Sequence, residues 1–160
     1  MSSNQPVILL SIANPKGDLT NVGEEFNEIR AALKLDGLTG EPLPYARLED
    51  IIKAIQDHRD QMVIFHFGGH ANELGLLLET AQGGMLALSG GLAKVLSAQD
   101  SLRLVFLNGC STEKQIQAFH DAGVPAVIGT KQPIPDTSAA RFAAVFYHGL
   151  ATGATLEQAF

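Results

Sequence analysis

At 160 residues the chain is the size of one domain, and 46% hydrophobic residues suffice to bury a core. A formal net charge of -6 leaves no surplus of Lys and Arg to displace counterions, which argues against nucleic acid or an anionic membrane as the main partner and leaves basic protein segments attractive. A single cysteine makes neither an internal disulfide nor a Cys-rich zinc site, so it is a packed thiol or a nucleophile.

The opening "MSSNQPVILL" has no basic region ahead of a long apolar segment, and no apolar run reaches a membrane span, so the chain reads as cytoplasmic. "VILLSIA" (7–13) is the first buried strand. Leu19, Val22, Phe26, Ile29 and Leu33 then share one face of a helix, with Asp18 as a candidate N-cap and the charges of "GEEFNEIRAALK" on a solvated face. "PLPYARL" (42–48) holds two prolines and can be only an edge strand. Leu48, Ile51, Ile52 and Ile55 mark the second helix, and "MVIFHFG" (62–68) the next strand.

"LGLLLETAQGGMLALS" (74–89) reads as a hairpin turning near Gln82 to Gly84, followed by a short helix at 92–96. "LRLVFLN" (102–108) is a strand, and the helix after Cys110 has Thr112 as candidate N-cap, Ile116 and Phe119 inward, and a stop at Gly123. "AVIGT" (126–130) is the last strand. A helix capped by Thr137 carries Phe142, Val145, Phe146 and Leu150 and stops at Gly153. Thr155 and Gln158 have capping-box spacing, and a helix opening where the sequence stops suggests one domain over 1–160, truncated at its C-terminal end. Near-continuous apolar strands alternating with amphipathic helices predict an α/β fold: a three-layer, doubly wound, mostly parallel sheet with a small β-hairpin insertion.

Two residues carry the chemistry. His70 ends the run "VIFHFGGHA" and Cys110 ends "LVFLNGC", each after a glycine and each at the carboxyl end of its strand, where open parallel sheets collect reacting groups. If the two strands are neighbours, their tips bring imidazole and thiol together. A thiol beside an imidazole and at a helix start is biased toward thiolate. Backbone N–H groups of Ala71, Gly109 and Cys110 are natural oxyanion donors, worth about 3 kcal/mol each. Taken singly, a cysteine there is most often a core thiol and a histidine there a hydrogen-bonded strand end; the joint arrangement is what raises the catalytic reading. Close in sequence, Glu73 is the one carboxylate that could orient His70, and its loop points it outward, so a dyad without a third member is expected. His66 and His70 form an "HxxxH", but no third ligand accompanies them; His66 is expected to pack beneath the dyad, with no metal and no cofactor.

These blocks, with "GVPAVIGT" and "PDTSAARFAAVFYHGLATG", resemble a CHAT domain, a bacterial relative of the caspases, gingipains and separase. The resemblance spans essentially the whole chain. It implies a caspase-like fold and a peptide-bond hydrolase in which His70 is the base and Cys110 the nucleophile. Ala71 departs from the caspases, which have glycine there, but still offers its N–H. The resemblance also places Asp136 near the first specificity pocket, where an acid would select a basic residue before the scissile bond. Capping its own helix is the alternative role for Asp136. Asn14 and Asp18 are further candidate pocket walls. The implied partners are a protein or peptide substrate and an activating repeat or effector domain outside this chain, in bacterial signalling or defence.

Two other enzyme classes fit poorly. Amidotransferases set the cysteine in an elbow flanked by glycines, with the histidine later in the chain, and Cys-dependent phosphatases need an arginine where Ile116 stands. A catalytically silent adaptor built on the same fold remains the competing function.

Overall fold

The computed structural model describes residues 5–34 and 38–160. The chain runs β1 (Val7–Ala13), α1 (Val22–Lys34), β2 (Thr39–Pro44), α2 (Leu48–Asp57), β3 (Met62–Gly69), β4 (Gly75–Thr80), β5 (Gly83–Leu88), α3 (Ser89–Ser97), β6 (Leu104–Asn108), α4 (Glu113–Asp121), β7 (Val127–Ile128), α5 (Asp136–Ala151) and α6 (Leu156–Ala159). Five strands form a parallel sheet in the order β2-β1-β3-β6-β7, a caspase-like α/β architecture, and β4 and β5 pair separately as an antiparallel hairpin.

Alternation along each strand divides the core into two layers. Ile8, Leu10, Ile64, Leu104 and Phe106 face α1 and α5. Leu9, Phe65, Phe67, Val105 and Leu107 face the opposite layer, with α2, α3, the hairpin and Phe119 of α4. With both faces covered, β1, β3 and β6 are buried almost throughout, which is why they read as continuous apolar runs. The strand order reverses between β1 and β3, so the loops after these two strands diverge and leave a crevice at their carboxyl ends.

Several boundaries differ from the sequence expectation. α1 begins at Val22, so Leu19 lies outside the helix and Asp18 does not cap it. β2 occupies Thr39–Pro44 rather than 42–48, still at the edge, where the ladder tolerates its prolines. The hairpin turns at 81–82, with Thr80 opposite Gly83. β6 starts at Leu104, and β7 keeps only two residues. In α5 the buried stripe is Ala139, Ala143, Phe146 and Tyr147, while Val145 is exposed. Among the described residues no helix is long and apolar enough to cross a membrane.

An aromatic cluster fills the layer under α5. The Phe106 ring lies 4.8 Å from His66, 5.2 Å from Phe146 and 5.9 Å from Tyr147, centre to centre. Phe106 is 1% exposed, so its truncation would leave a cavity that β6 cannot collapse to fill. Phe106→Ala is expected to lower the free energy of unfolding by about 3–5 kcal/mol in a denaturant titration.

Candidate active site

β3 and β6 are hydrogen-bonded neighbours, and Gly68 lies in register with Asn108. His70 and Cys110 therefore leave adjacent strand tips two positions further on. Glycine lets the tips touch. A Cβ on Gly109 would lie 2.8 Å from both the Gly69 carbonyl and the Ala71 side chain. Gly69 itself, at φ +154°, would press a side chain into the Ala13 carbonyl.

The loop carrying Cys110 is held from both sides. Thr130 donates its hydroxyl to the Gly109 carbonyl at 2.5 Å, and the Thr112 backbone N–H donates to Thr130 O at 2.8 Å. The Thr112 hydroxyl accepts from Thr130 N–H at 2.8 Å and makes no bond to its own helix, contrary to the capping role expected. α4 starts at Glu113, so Cys110 precedes the helix by a short turn rather than opening it. Within that turn Ser111 adopts φ +54°, a left-handed conformation uncommon for a residue with a side chain.

From α4, buried Gln115 reaches back to donate to the carbonyls of Asn72 at 2.6 Å and Gly75 at 3.1 Å. The helix after the cysteine thus clasps the loop after the histidine. Lys114 pairs with Glu73 on the surface, which keeps that carboxylate away from His70. Cys110 is partly exposed. The N–H groups of Ala71, Gly109, Cys110 and Ser111 have no acceptor among the described residues.

His70 does have a carboxylate partner, which corrects the expectation of an unassisted dyad. Its Nε2 lies 2.6 Å from Asp18 Oδ1, across the crevice between the loops after β1 and β3. The contact was hidden by the long sequence separation of the pair. The hydrogen bond to His70 holds the Asp18 carboxyl below its ordinary 3.8, against the opposing effect of desolvation. Asn14 is the brace of that loop rather than a wall: its side chain donates to Leu19 O at 3.0 Å and accepts from Leu19 N–H, and its backbone N–H donates to Glu79.

His70 and Cys110 line one cleft, with no hydrogen bond between them. Leu19, Val22 and Ile134 form apolar walls, and the charged members are Glu25 and Asp136. Asp136 is the first residue of α5, so it does not cap that helix. Its Oδ2 accepts from the Asn21 backbone N–H at 2.7 Å and side chain at 3.2 Å, closing the start of α1 from across the layer.

Beneath the cleft is a polar network, of which only His66 was expected from the sequence. Glu25 is 2% exposed, and its Oε1 accepts from His66 Nε2 at 2.9 Å and from Asn108 Nδ2 at 2.8 Å. Asn108 also donates to Ala139 O at 2.9 Å, and the Tyr147 hydroxyl meets His66 Nδ1 at 3.1 Å. Burial pushes the Tyr147 hydroxyl well above its ordinary range. Glu25 was readable in principle: it falls three after Val22 and four before Ile29, on the apolar stripe rather than the solvated face.

A family model described as the CHAT domain matches residues 2–160. No curated protein matches the chain.

The Asp18 contact makes a direct prediction. In a carboxyl-detected NMR titration Asp18 titrates below 3.8, and His70→Ala returns it toward the ordinary value. Because the folded-state value is lowered, the contact stabilises the fold above the unfolded-state value and is lost as pH falls through the lowered one.

Proposed function

Because the chain belongs to the CHAT domain family, which is associated with caspase-like cysteine peptidases, we propose that it is a cysteine endopeptidase working through Cys110 and His70. The observation that carries this is the convergence of the two side chains on one cleft, from adjacent strand tips where the N–H groups of Ala71, Gly109 and Cys110 have no acceptor among the described residues.

The chemistry follows from the contacts. Asp18 accepts from Nε2 of His70, which leaves Nδ1 to take the thiol proton. The Cys110 sulfur attacks the scissile carbonyl carbon, and the oxygen, now negative, is held by N–H groups of Ala71, Gly109 and Cys110. His70 returns its proton to the leaving amine as the C–N bond breaks. Water, deprotonated by the same imidazole, then hydrolyses the thioester and frees the thiol. Asp18 is a positioning residue: it fixes the ring and favours the imidazolium formed midway. Its position in the β1 loop makes it part of the catalytic arrangement rather than a pocket wall.

The substrate side of the cleft favours cleavage after a basic residue, since among the described residues its charged lining is Glu25 and Asp136 with no lysine or arginine. The substrate is a partner protein in a bacterial signalling or defence setting inside the cell, as the family resemblance implies. One observation favours the adaptor reading instead: Cys110 and His70 share no hydrogen bond in the unliganded protein. Catalytic contacts often tighten only when substrate binds, so the separation does not decide between the two.

Turnover of fluorogenic peptides and alkylation by iodoacetamide decide it. The wild type should cleave and label rapidly at neutral pH. Cys110→Ala should abolish both, His70→Ala should lower kcat/KM by about 10²-fold or more, and Asp18→Asn should give a smaller loss with KM little changed. Slow labelling that is equal in the wild type and His70→Ala, with no cleavage of any peptide, would make Cys110 a structural thiol and the protein an adaptor.

A further inference from the structure

We propose that Glu25 is the specificity-determining residue of the cleft, its carboxylate binding the cationic end of a lysine or arginine side chain before the scissile bond; this rests on the peptidase reading of the same site.

Glu25 is an unusual residue to find where it is. It is 98% buried in the first turn of α1, yet its two oxygens are treated differently. Oε1 takes both hydrogen bonds, from His66 and Asn108. Oε2 takes none among the described residues, and Glu25 lines the cleft with His70 and Cys110. A carboxylate oxygen with no protein partner at the wall of a cleft is met by water or by a ligand. An acceptor left open toward a substrate cleft is a place held for a donor.

The network beneath takes up only the other oxygen. Tyr147 is fully buried, and His66 Nδ1 is the sole partner of its hydroxyl among the described residues, so the hydroxyl proton is directed there. His66 Nδ1 is then the acceptor, and Nε2–H donates to Glu25. Both bonds from the network fall on Oε1, and Oε2 is left for a ligand to meet. A lysine or arginine has a donor of the right sign, whereas a neutral side chain would leave the carboxylate buried and unanswered.

Position supports the same assignment. The carboxylate stands over Gly68, where an added Cβ would lie 3.2 and 3.3 Å from its two oxygens. Gly68 and Asn108 each precede a dyad member by two residues, which at ~3.3 Å per residue sets the carboxylate roughly 7 Å beneath the reacting groups. A lysine or arginine side chain spans that depth, and a short polar residue does not. Asp136 lines the cleft as well, but its Oδ2 already accepts twice from Asn21. Asp18 is held by His70.

The test uses peptidyl acyloxymethyl ketones, which alkylate a cleft thiol without needing peptide hydrolysis, carrying lysine or its neutral isostere norleucine at the cleavage position. The wild type should label at Cys110 at least about 10-fold faster with the lysine probe. Glu25→Gln, which still offers a carbonyl oxygen to Asn108 and His66, should lose most of that ratio at an unchanged melting temperature, while Asp136→Asn should keep it. No lysine preference in the wild type, including no labelling at all, overturns the proposal, as does a preference retained in Glu25→Gln. A preference that vanishes in Asp136→Asn assigns the contact to Asp136 and overturns it even should Glu25→Gln fail to fold. Lysine-selective labelling without cleavage of any peptide would leave the Glu25 pocket standing and sink the peptidase reading alone.

Discussion

The contact on which the site depends is the buried carboxylate of Glu25 meeting His66 and Asn108 at the ends of β3 and β6. It joins four elements through one oxygen, since Asn108 passes the connection on to Ala139 in α5 and His66 passes it to Tyr147. Desolvating a carboxylate is expensive, and the charge-assisted bonds to it offset that only in this geometry. The first turn of α1 helps, because the helix dipole favours an anion there. Any slip of α1 along the sheet would break both bonds at once, which fixes the helix, and with it the loop holding Asp18, against the strand tips.

Above that anchor the site is built by contact between backbones. The tips of β3 and β6 meet at Gly69 and Gly109, where no side chain would fit. Threonines 112 and 130 pin the cysteine loop to the end of β7, and Gln115 ties the histidine loop to α4. Ser111 is held left-handed within this frame, at a cost of roughly 1–2 kcal/mol for a residue with a Cβ. Hydrogen bonds therefore hold the backbones of both loops on either side of the cleft. On the proposed peptidase reading, this bracing would aim backbone donors at an oxyanion.

How much of this was legible follows from what kind of signal each residue gives. Buried parallel strands and amphipathic helices are periodic, so the α/β fold, the hairpin and the strand-tip position of His70 and Cys110 were readable from runs such as "MVIFHFGG" and "LVFLNGC". Helix starts were not. Asp18, Thr112 and Thr137 all look like N-caps, yet Asp18 turns to His70, Thr112 turns to Thr130, and Thr137 lies inside α5. A hydroxyl or carboxylate that can cap locally can as well bind across the fold, and only tertiary structure decides. Asp18 and Glu25 illustrate the larger gap. Their partners lie far along the chain, and no local pattern encodes a contact set by sheet order. Even so, Glu25 sits on the apolar stripe of α1, and a charge on such a stripe is a sign of a buried partner or a site.

The same chemical pair occurs twice, once within β3 and once just beyond it, in two different settings. His66 and His70 each bind a carboxylate through Nε2, at 2.9 and 2.6 Å. The first pair is sealed, with side chains 0% and 2% exposed, and Tyr147 takes up its remaining ring nitrogen. In the second pair the side chains are 26% and 55% exposed, and the remaining nitrogen of His70 has no partner among the described residues. The second pair is open to solvent. Identical groups four positions apart in sequence thus differ in burial, the first sealed in the core and the second at the cleft. The "HxxxH" spacing that resembles a metal motif is, in this fold, a strand carrying one histidine inside the core and one just beyond its edge.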